Sequence, residues 1–294
     1  MKPDPECVPC LLKRVLFQSR LVEEEDGARP VAAALLEMAA AYSGAENSAK
    51  MASRVHQKAY DALGVKDPYT TLKLRSDEVA EMLLPHLQDT IESSDDRLEA
   101  AVIGSIVGNI MDFGPGIAIQ HPDELLDAFH GLMAQGLDVN HVGELRSRLG
   151  ADTTVLYIFD NCGESVFDRL LIEEIKRTGG EVVGLVKGEP ILTDVTREDA
   201  SRAGLDDVLD RIVDTGQFAI GVDLSSAADA CLKEFERADV IISKGMANFE
   251  ALSDEDIGEV FYLMRAKCDP VANALCVNKE DNVAMLWGTR DGAT

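Results

Sequence analysis

Thr153-Thr154-Val155-Leu156-Tyr157-Ile158-Phe159-Asp160-Asn161-Cys162-Gly163-Glu164 joins a β-branched and aromatic run to an abrupt polar turn. The run from Thr153 to Phe159, bounded by polar residues, predicts a short buried strand. The turn after it predicts entry into a helix over 165–178 that stops at Gly179-Gly180. The alternation continues downstream. Strands are predicted at 181–187, near 211–213 and over Asp239-Val240-Ile241-Ile242, with helices at 196–203 and 226–237 between them. Residues 259–264 and 283–287 are two further strand candidates. Strands alternating with helices imply a mostly parallel, doubly wound (Rossmann-like) α/β sheet covered on both faces.

Upstream the period changes to that of helices. Residues 7–22 carry Val8, Leu11, Leu12, Val15, Leu16 and Leu21 at helical spacing. Residues 31–42, rich in Ala, Leu and Met, follow Pro30, which suits a first helical turn. Residues 46–63 and 76–92 predict two more amphipathic helices, punctuated by Gly64, Pro68 and Ser76. The polar break Ser93-Ser94-Asp95-Asp96 can cap an apolar helix over 96–110. The expected organisation is an all-helical domain over residues 1–98 and an α/β domain over residues 99–294.

Bulk composition narrows the function. A chain of 294 residues with 46% hydrophobic and 28% charged residues can bury a sizeable core. No stretch approaches the roughly 18 consecutive apolar residues of a membrane span. The beginning Met1-Lys2-Pro3-Asp4-Pro5-Glu6 lacks the apolar stretch of a secretion signal, so a cytoplasmic location is expected. A net charge of −25 repels nucleic acid phosphates and anionic lipid headgroups, which sets those partners aside. An anionic small molecule would therefore need a bound cation and local lysines to reverse the potential where it binds. Six cysteines are too dispersed for a disulfide scaffold, and the C-x-x-C of Cys7 and Cys10 has no second copy. The five histidines, His56, His86, His121, His130 and His141, show no zinc-ligand spacing.

Open α/β sheets bind ligands beyond the carboxyl ends of their strands. The predicted tips there are Asp160-Asn161-Cys162-Gly163-Glu164-Ser165, Pro190-Ile191-Leu192-Thr193-Asp194 and Ser243-Lys244-Gly245-Met246-Ala247-Asn248, joined by the helix end Gly108-Asn109-Ile110-Met111-Asp112. Asp160, Asn161 and Asp194 supply the oxygen donors that Mg²⁺ or Mn²⁺ prefers, with waters completing the shell. Asn109 and Asp112 share a helical face. Lys244 and Gly245 can offer an ammonium and backbone N–H groups to a phosphate where a helix begins. Singly, each has a plainer reading: a turn, a helix cap or a solvated helix end. Their joint placement at the sheet tips favours a site.

The same segments, with Glu6-Cys7-Val8-Pro9-Cys10 and Lys267-Cys268, occur in an order that resembles the metal-dependent damage-control phosphatases, long catalogued as a domain of unknown function, in the branch with an N-terminal C-x-x-C. The resemblance spans essentially the whole chain. It implies that Asp160, Asn161 and Asp194 ligate a divalent cation (Mn²⁺, Mg²⁺, Co²⁺ or Ni²⁺). It also implies that Asn109, Asp112 and Lys244, with Ser243, Gly245 and Asn248 of the same motif, line a pocket for a small-molecule phosphate ester such as a sugar phosphate or a damaged phosphorylated intermediate. Asp112, Glu164 and Lys244 are then the candidates to orient water and stabilise charge during phosphoryl transfer. The family pattern reads Asn-Asp where this chain has Thr193-Asp194. Cys162 stands where an aspartyl-phosphate mechanism would need a second Asp. Cys7 and Cys10, on one helical face, fit a redox pair, two metal ligands or packing. A carboxyl methyltransferase would need a Gly-rich turn where Asp160–Glu164 has one glycine, and a non-hydrolysing sensor would use the same ligands. The carbon skeleton of the ester, the choice of metal and the oligomeric state are left open.

Overall fold

The computed structural model describes residues 1–22, 27–42, 47–111, 121 and 123–288. Five helices lead: α1 (Cys7–Leu21), α2 (Ala28–Ala41), α3 (Ser48–Leu63), α4 (Thr70–Ser93) and α5 (Arg97–Gly108), followed by a 3-10 turn at Asn109–Met111. Next come α6 (Glu124–Met133), β1 (Val139–Asn140), α7 (Val142–Arg148), β2 (Thr154–Ile158), α8 (Glu164–Lys176) and β3 (Glu181–Val186). The chain continues through α9 (Arg197–Arg202), β4 (Arg211–Asp214), α10 (Asp229–Arg237), β5 (Val240–Lys244) and α11 (Gly245–Leu252). It ends with β6 (Val260–Arg265), α12 (Asp269–Leu275) and β7 (Asn282–Trp287). Local chemistry sets several of these boundaries. Asp96 accepts a hydrogen bond from the Glu99 N–H and so caps α5. Thr196 and Asp199 form a reciprocal capping box on α9.

One seven-stranded sheet runs in the order β1-β7-β6-β5-β2-β3-β4. The strands from β6 to β4 are parallel, as the alternating pattern predicts. β7 runs antiparallel to β6, and β1 pairs parallel to β7. Short, weakly periodic segments hid β1, α6, α7 and α12 from the sequence reading, and α4 starts at Thr70 rather than 76.

The central strands alternate between two apolar clusters, as a sheet covered on both faces requires. Val155, Tyr157 and Phe159 of the β2 segment join Val79, Leu87, Val102 and Ile106 of α4 and α5 on one face. Leu156 and Ile158 join Val15, Met38, Val55 and Tyr60 of α1, α2 and α3 on the other. The leading helices thus contribute to both faces of the same sheet. No described helix is long and apolar enough to cross a membrane.

Candidate metal and phosphate site

β2 lies between β5 and β3, so the chain leaves its carboxyl end at the point where successive connections turn to opposite sides. Loops diverge there, and ligands of doubly wound sheets bind there. Asp160 and Asn161 leave β2 at that point. Gly245, immediately after β5, opens α11 with a φ of 74°, and a Cβ on it would fall 1.8 Å from Asp160 Oδ2. Only glycine lets this backbone lie against the carboxylate, and it brings the positive end of α11 to the acid.

The loop after β3 folds back onto the loop after β2. Val195 donates its backbone N–H to the Asp160 carbonyl at 2.8 Å, and Cys162 donates to the Thr193 carbonyl at 2.8 Å. These bonds pair Asn161 with Asp194 as an isolated antiparallel bridge. The three predicted oxygen donors are thereby brought to one place. Asp160 and Asp194 keep only 5% and 4% exposure.

A web of amides and charges surrounds the acids. The Asn109 amide donates to Asp160 Oδ2 at 3.1 Å and to Glu164 Oε2 at 2.8 Å. The Asn161 amide donates to the same two oxygens at 2.7 and 3.1 Å, while its Oδ1 accepts from the Thr193 hydroxyl at 2.7 Å. Lys244 donates to Asp168 Oδ1 at 2.8 Å, to the Ser105 carbonyl at 3.3 Å and, very closely, to Glu164. Lys187 lies 3.4 Å from Asp194 Oδ2 and donates to the Gly221 carbonyl at 2.7 Å. Burial pulls the Lys244 pKa down, but Asp168 and Glu164 outweigh it and the net shift is upward. Burial pushes the Asp168 carboxyl up to about 6 against the pull of Lys244.

Four buried carboxylates, Asp160, Glu164, Asp168 and Asp194, thus face two buried ammonium groups, Lys187 and Lys244. Hard oxygens on Asp160 and Asp194, with the Asn161 side-chain amide between them, suit Mg²⁺ or Mn²⁺ rather than zinc. Among the described residues no three of His, Cys, Asp and Glu stand together as a metal-ligand group. The set of two carboxylates and one amide must therefore rely on water or substrate to complete its shell.

The other predicted site residues have distinct surroundings. Lys244 was expected to reach a substrate phosphate, yet its ammonium is fully buried and its donors go to Glu164, Asp168 and Ser105. Asn248 is equally buried: its amide donates to the Phe159 and Lys244 carbonyls, and its Oδ1 accepts from Lys187 at 3.3 Å. Ser243 is buried in β5. Ser243 and Lys244 end a central strand, whose side chains point into the layers covering it, while Asn248 packs beneath them from α11. Asp112 lies outside the described residues. Lys187 and Asp168 were missed; a lysine ending one strand and an acid one turn along α8 from Glu164 were the signals that could have found them. Lys267, half-buried just beyond β6, lies at the same edge and donates its backbone N–H to Met246 Sδ. Cys7 and Cys10 sit in the first turn of α1, Cys7 half-buried and Cys10 exposed. Burial pushes the Cys7 thiol up to about 11.

The family model described as the damage-control phosphatase ARMT1-like domain matches residues 4–283. A damage-control phosphatase of Archaeoglobus fulgidus is 38% identical over 288 residues, spanning 97% of this chain and 99% of that protein. One from Pyrococcus horikoshii is 33% identical over 288 residues, spanning 97% of this chain and 98% of that protein. The crystal structure of a DUF89 family protein from Pyrococcus horikoshii superposes with a TM-score of 0.85 at 32% identity, covering 97% of this chain and 99% of that one.

Proposed function

The chain belongs to the damage-control phosphatase ARMT1-like family, and from that premise we propose that it is a metal-dependent phosphatase of small-molecule phosphate esters, sugar phosphates or damaged phosphorylated intermediates among them. The observation that carries the reading is the convergence of Asp160, Asn161 and Asp194, three buried side chains with hard oxygen donors, at the sheet switch point. Asp160, Asn161 and Asp194 would hold that ion. When bound, it would neutralise phosphoryl oxygens and favour in-line displacement by water.

The chain's own groups have separable tasks. Asn109 and Glu164 fix the Asp160 carboxylate and the Asn161 amide through the hydrogen bonds already described. Glu164 already accepts from Lys244, Asn109 and Asn161 and has no exposed surface, so its role is to orient those amides rather than to take a proton from water. Asp112 is the remaining candidate to orient the attacking water. Lys267, by its place on the sheet edge, is the ammonium assigned to the ester phosphate, a role its neighbour Lys244 is too enclosed to fill.

The test is phosphate release from a panel of sugar phosphates and para-nitrophenyl phosphate. EDTA-stripped protein is re-supplied with Mn²⁺, Mg²⁺, Co²⁺ or Ni²⁺. Release that requires metal and disappears in Asp160→Ala is expected. Folded protein that binds the ion and releases no phosphate from any ester would replace the phosphatase with a metal-dependent metabolite sensor.

A further inference from the structure

The two loops that carry the candidate ligands are each gripped from outside the sheet by one buried acceptor on a leading helix. On one face Asp77 of α4 accepts the Gly163 N–H through Oδ1 at 2.7 Å. On the other, Tyr60 of α3 accepts the Leu192 N–H through its hydroxyl oxygen at 3.0 Å. Both donors sit in left-handed backbone: Gly163 has a φ of 77° and Leu192 a φ of 48°. Gly163 follows Asn161 by two residues, and Leu192 precedes Asp194 by two.

We propose that Asp77 and Tyr60 are positioning residues that hold these two turns in register and thereby set the spacing of Asp160, Asn161 and Asp194 for the cation. This rests on the cation-binding reading of the site given above. A leucine adopts a left-handed conformation only when its surroundings enforce it. Here the Tyr60 hydroxyl satisfies the N–H that this conformation turns towards α3. Tyr60 is itself fixed, its ring meeting Phe218 edge-on at 5.5 Å between centroids. Gly163 has equally little freedom, since a Cβ there would lie 2.7 Å from Met111 Sδ and 2.9 Å from the Ser76 carbonyl oxygen.

Asp77 is locked in turn by a chain of charges that reaches the loop beyond Asp194. Its Oδ2 accepts from Arg202 Nε at 2.8 Å, and Arg202 also binds Asp199 Oδ1 at 2.7 Å. Asp199 caps α9 through Thr196 and takes a further bond from the buried Lys73 at 3.1 Å. The α4 grip on Gly163 is therefore tied to the segment that follows Asp194. With the Val195–Asp160 and Cys162–Thr193 backbone bonds, a shift in either turn would be passed to the other.

The experiment follows Mn²⁺ binding to the EDTA-stripped full chain by the electron paramagnetic resonance of the free ion. Phosphate release from the ester panel is measured in parallel. Tyr60→Phe and Asp77→Ala are expected to weaken Mn²⁺ binding about tenfold or more, the usual scale for partners that orient metal ligands. Asp77→Asn keeps an oxygen acceptor for Gly163 and is expected to stay within about threefold of wild type.

Folded Tyr60→Phe and Asp77→Ala proteins that bind Mn²⁺ within about twofold of wild type would overturn the proposal. If Asp77→Ala does not fold, Tyr60→Phe decides alone. Wild-type protein that binds no Mn²⁺ overturns both this proposal and the cation reading. Mn²⁺ binding weakened in the variants, with no ester hydrolysed by wild type, removes only the phosphatase reading.

Discussion

Lys244 donates to Asp168 Oδ1 at 2.8 Å with neither side chain exposed, so the only ammonium contributed by the β5 tip is spent on the protein's own acids. A charge in that position stabilises the fold by cancelling carboxylates that have no water to solvate them.

Lys244→Met should therefore destabilise the folded chain by about 3 kcal/mol or more, the scale seen when one partner of a buried pair is removed. Adding Asp168→Asn should recover part of that loss, because one uncompensated carboxylate goes with it. Urea midpoints of the two single variants and the double variant measure the coupling. A Lys244→Met protein as stable as wild type would return Lys244 to the substrate pocket.

Asp160→Asn should move stability the other way in the metal-free protein. It removes one buried negative charge from a cluster that also holds Glu164 while its amide oxygen still accepts from Asn109 and Asn161. A gain of about 1 kcal/mol, or roughly 2 °C in Tm, is expected for the stripped chain. Asp160→Ala should leave phosphate release below about one percent of wild type. Calorimetry with and without EDTA reads the first effect, and the ester panel reads the second.

Metal itself should stabilise. Mn²⁺ at about 100 times its Kd should add roughly 2.7 kcal/mol to unfolding if it binds only the folded chain. Asp194→Ala should abolish the rise in Tm, while Lys187 keeps its bond to the Gly221 carbonyl. A thermal shift that persists in this variant would move the ion elsewhere.

Asp168 gives the fold a pH dependence of defined sign. Burial raises its pKa from 3.8 to about 6, so between those values the folded chain holds a proton that the unfolded chain has released. The stability this proton contributes is complete below about pH 4 and is lost as pH rises through about 6. Chemical denaturation of stripped wild type and Asp168→Asn across that window should show a decline in wild type that the variant lacks. Equal slopes would place the carboxylate in its ordinary range.

The periodicity of the sequence was enough to write down the parallel strands from β2 to β6, because each is a short apolar run bounded by polar turns. It missed β1, α7 and α12, which have two to seven residues and little room for a periodic signal. The antiparallel β7 reads locally like any other strand, and direction is a property of the pair rather than of the strand.

The sequence by itself determined the α/β architecture and the polar tips Asp160-Asn161 and Asp194, since side-chain period and turn chemistry are local. Tertiary structure alone decided the environment of each charge. Asp77 meets Gly163 across 86 positions, and Lys244 meets Glu164 across 80. Whether an ammonium faces a substrate or a buried acid depends on what the other layers bring against it, and no local pattern encodes that. The order of residues named Lys244 as a candidate; the packing of α8 and β5 enclosed it, because a strand in the middle of a sheet has covered faces on both sides.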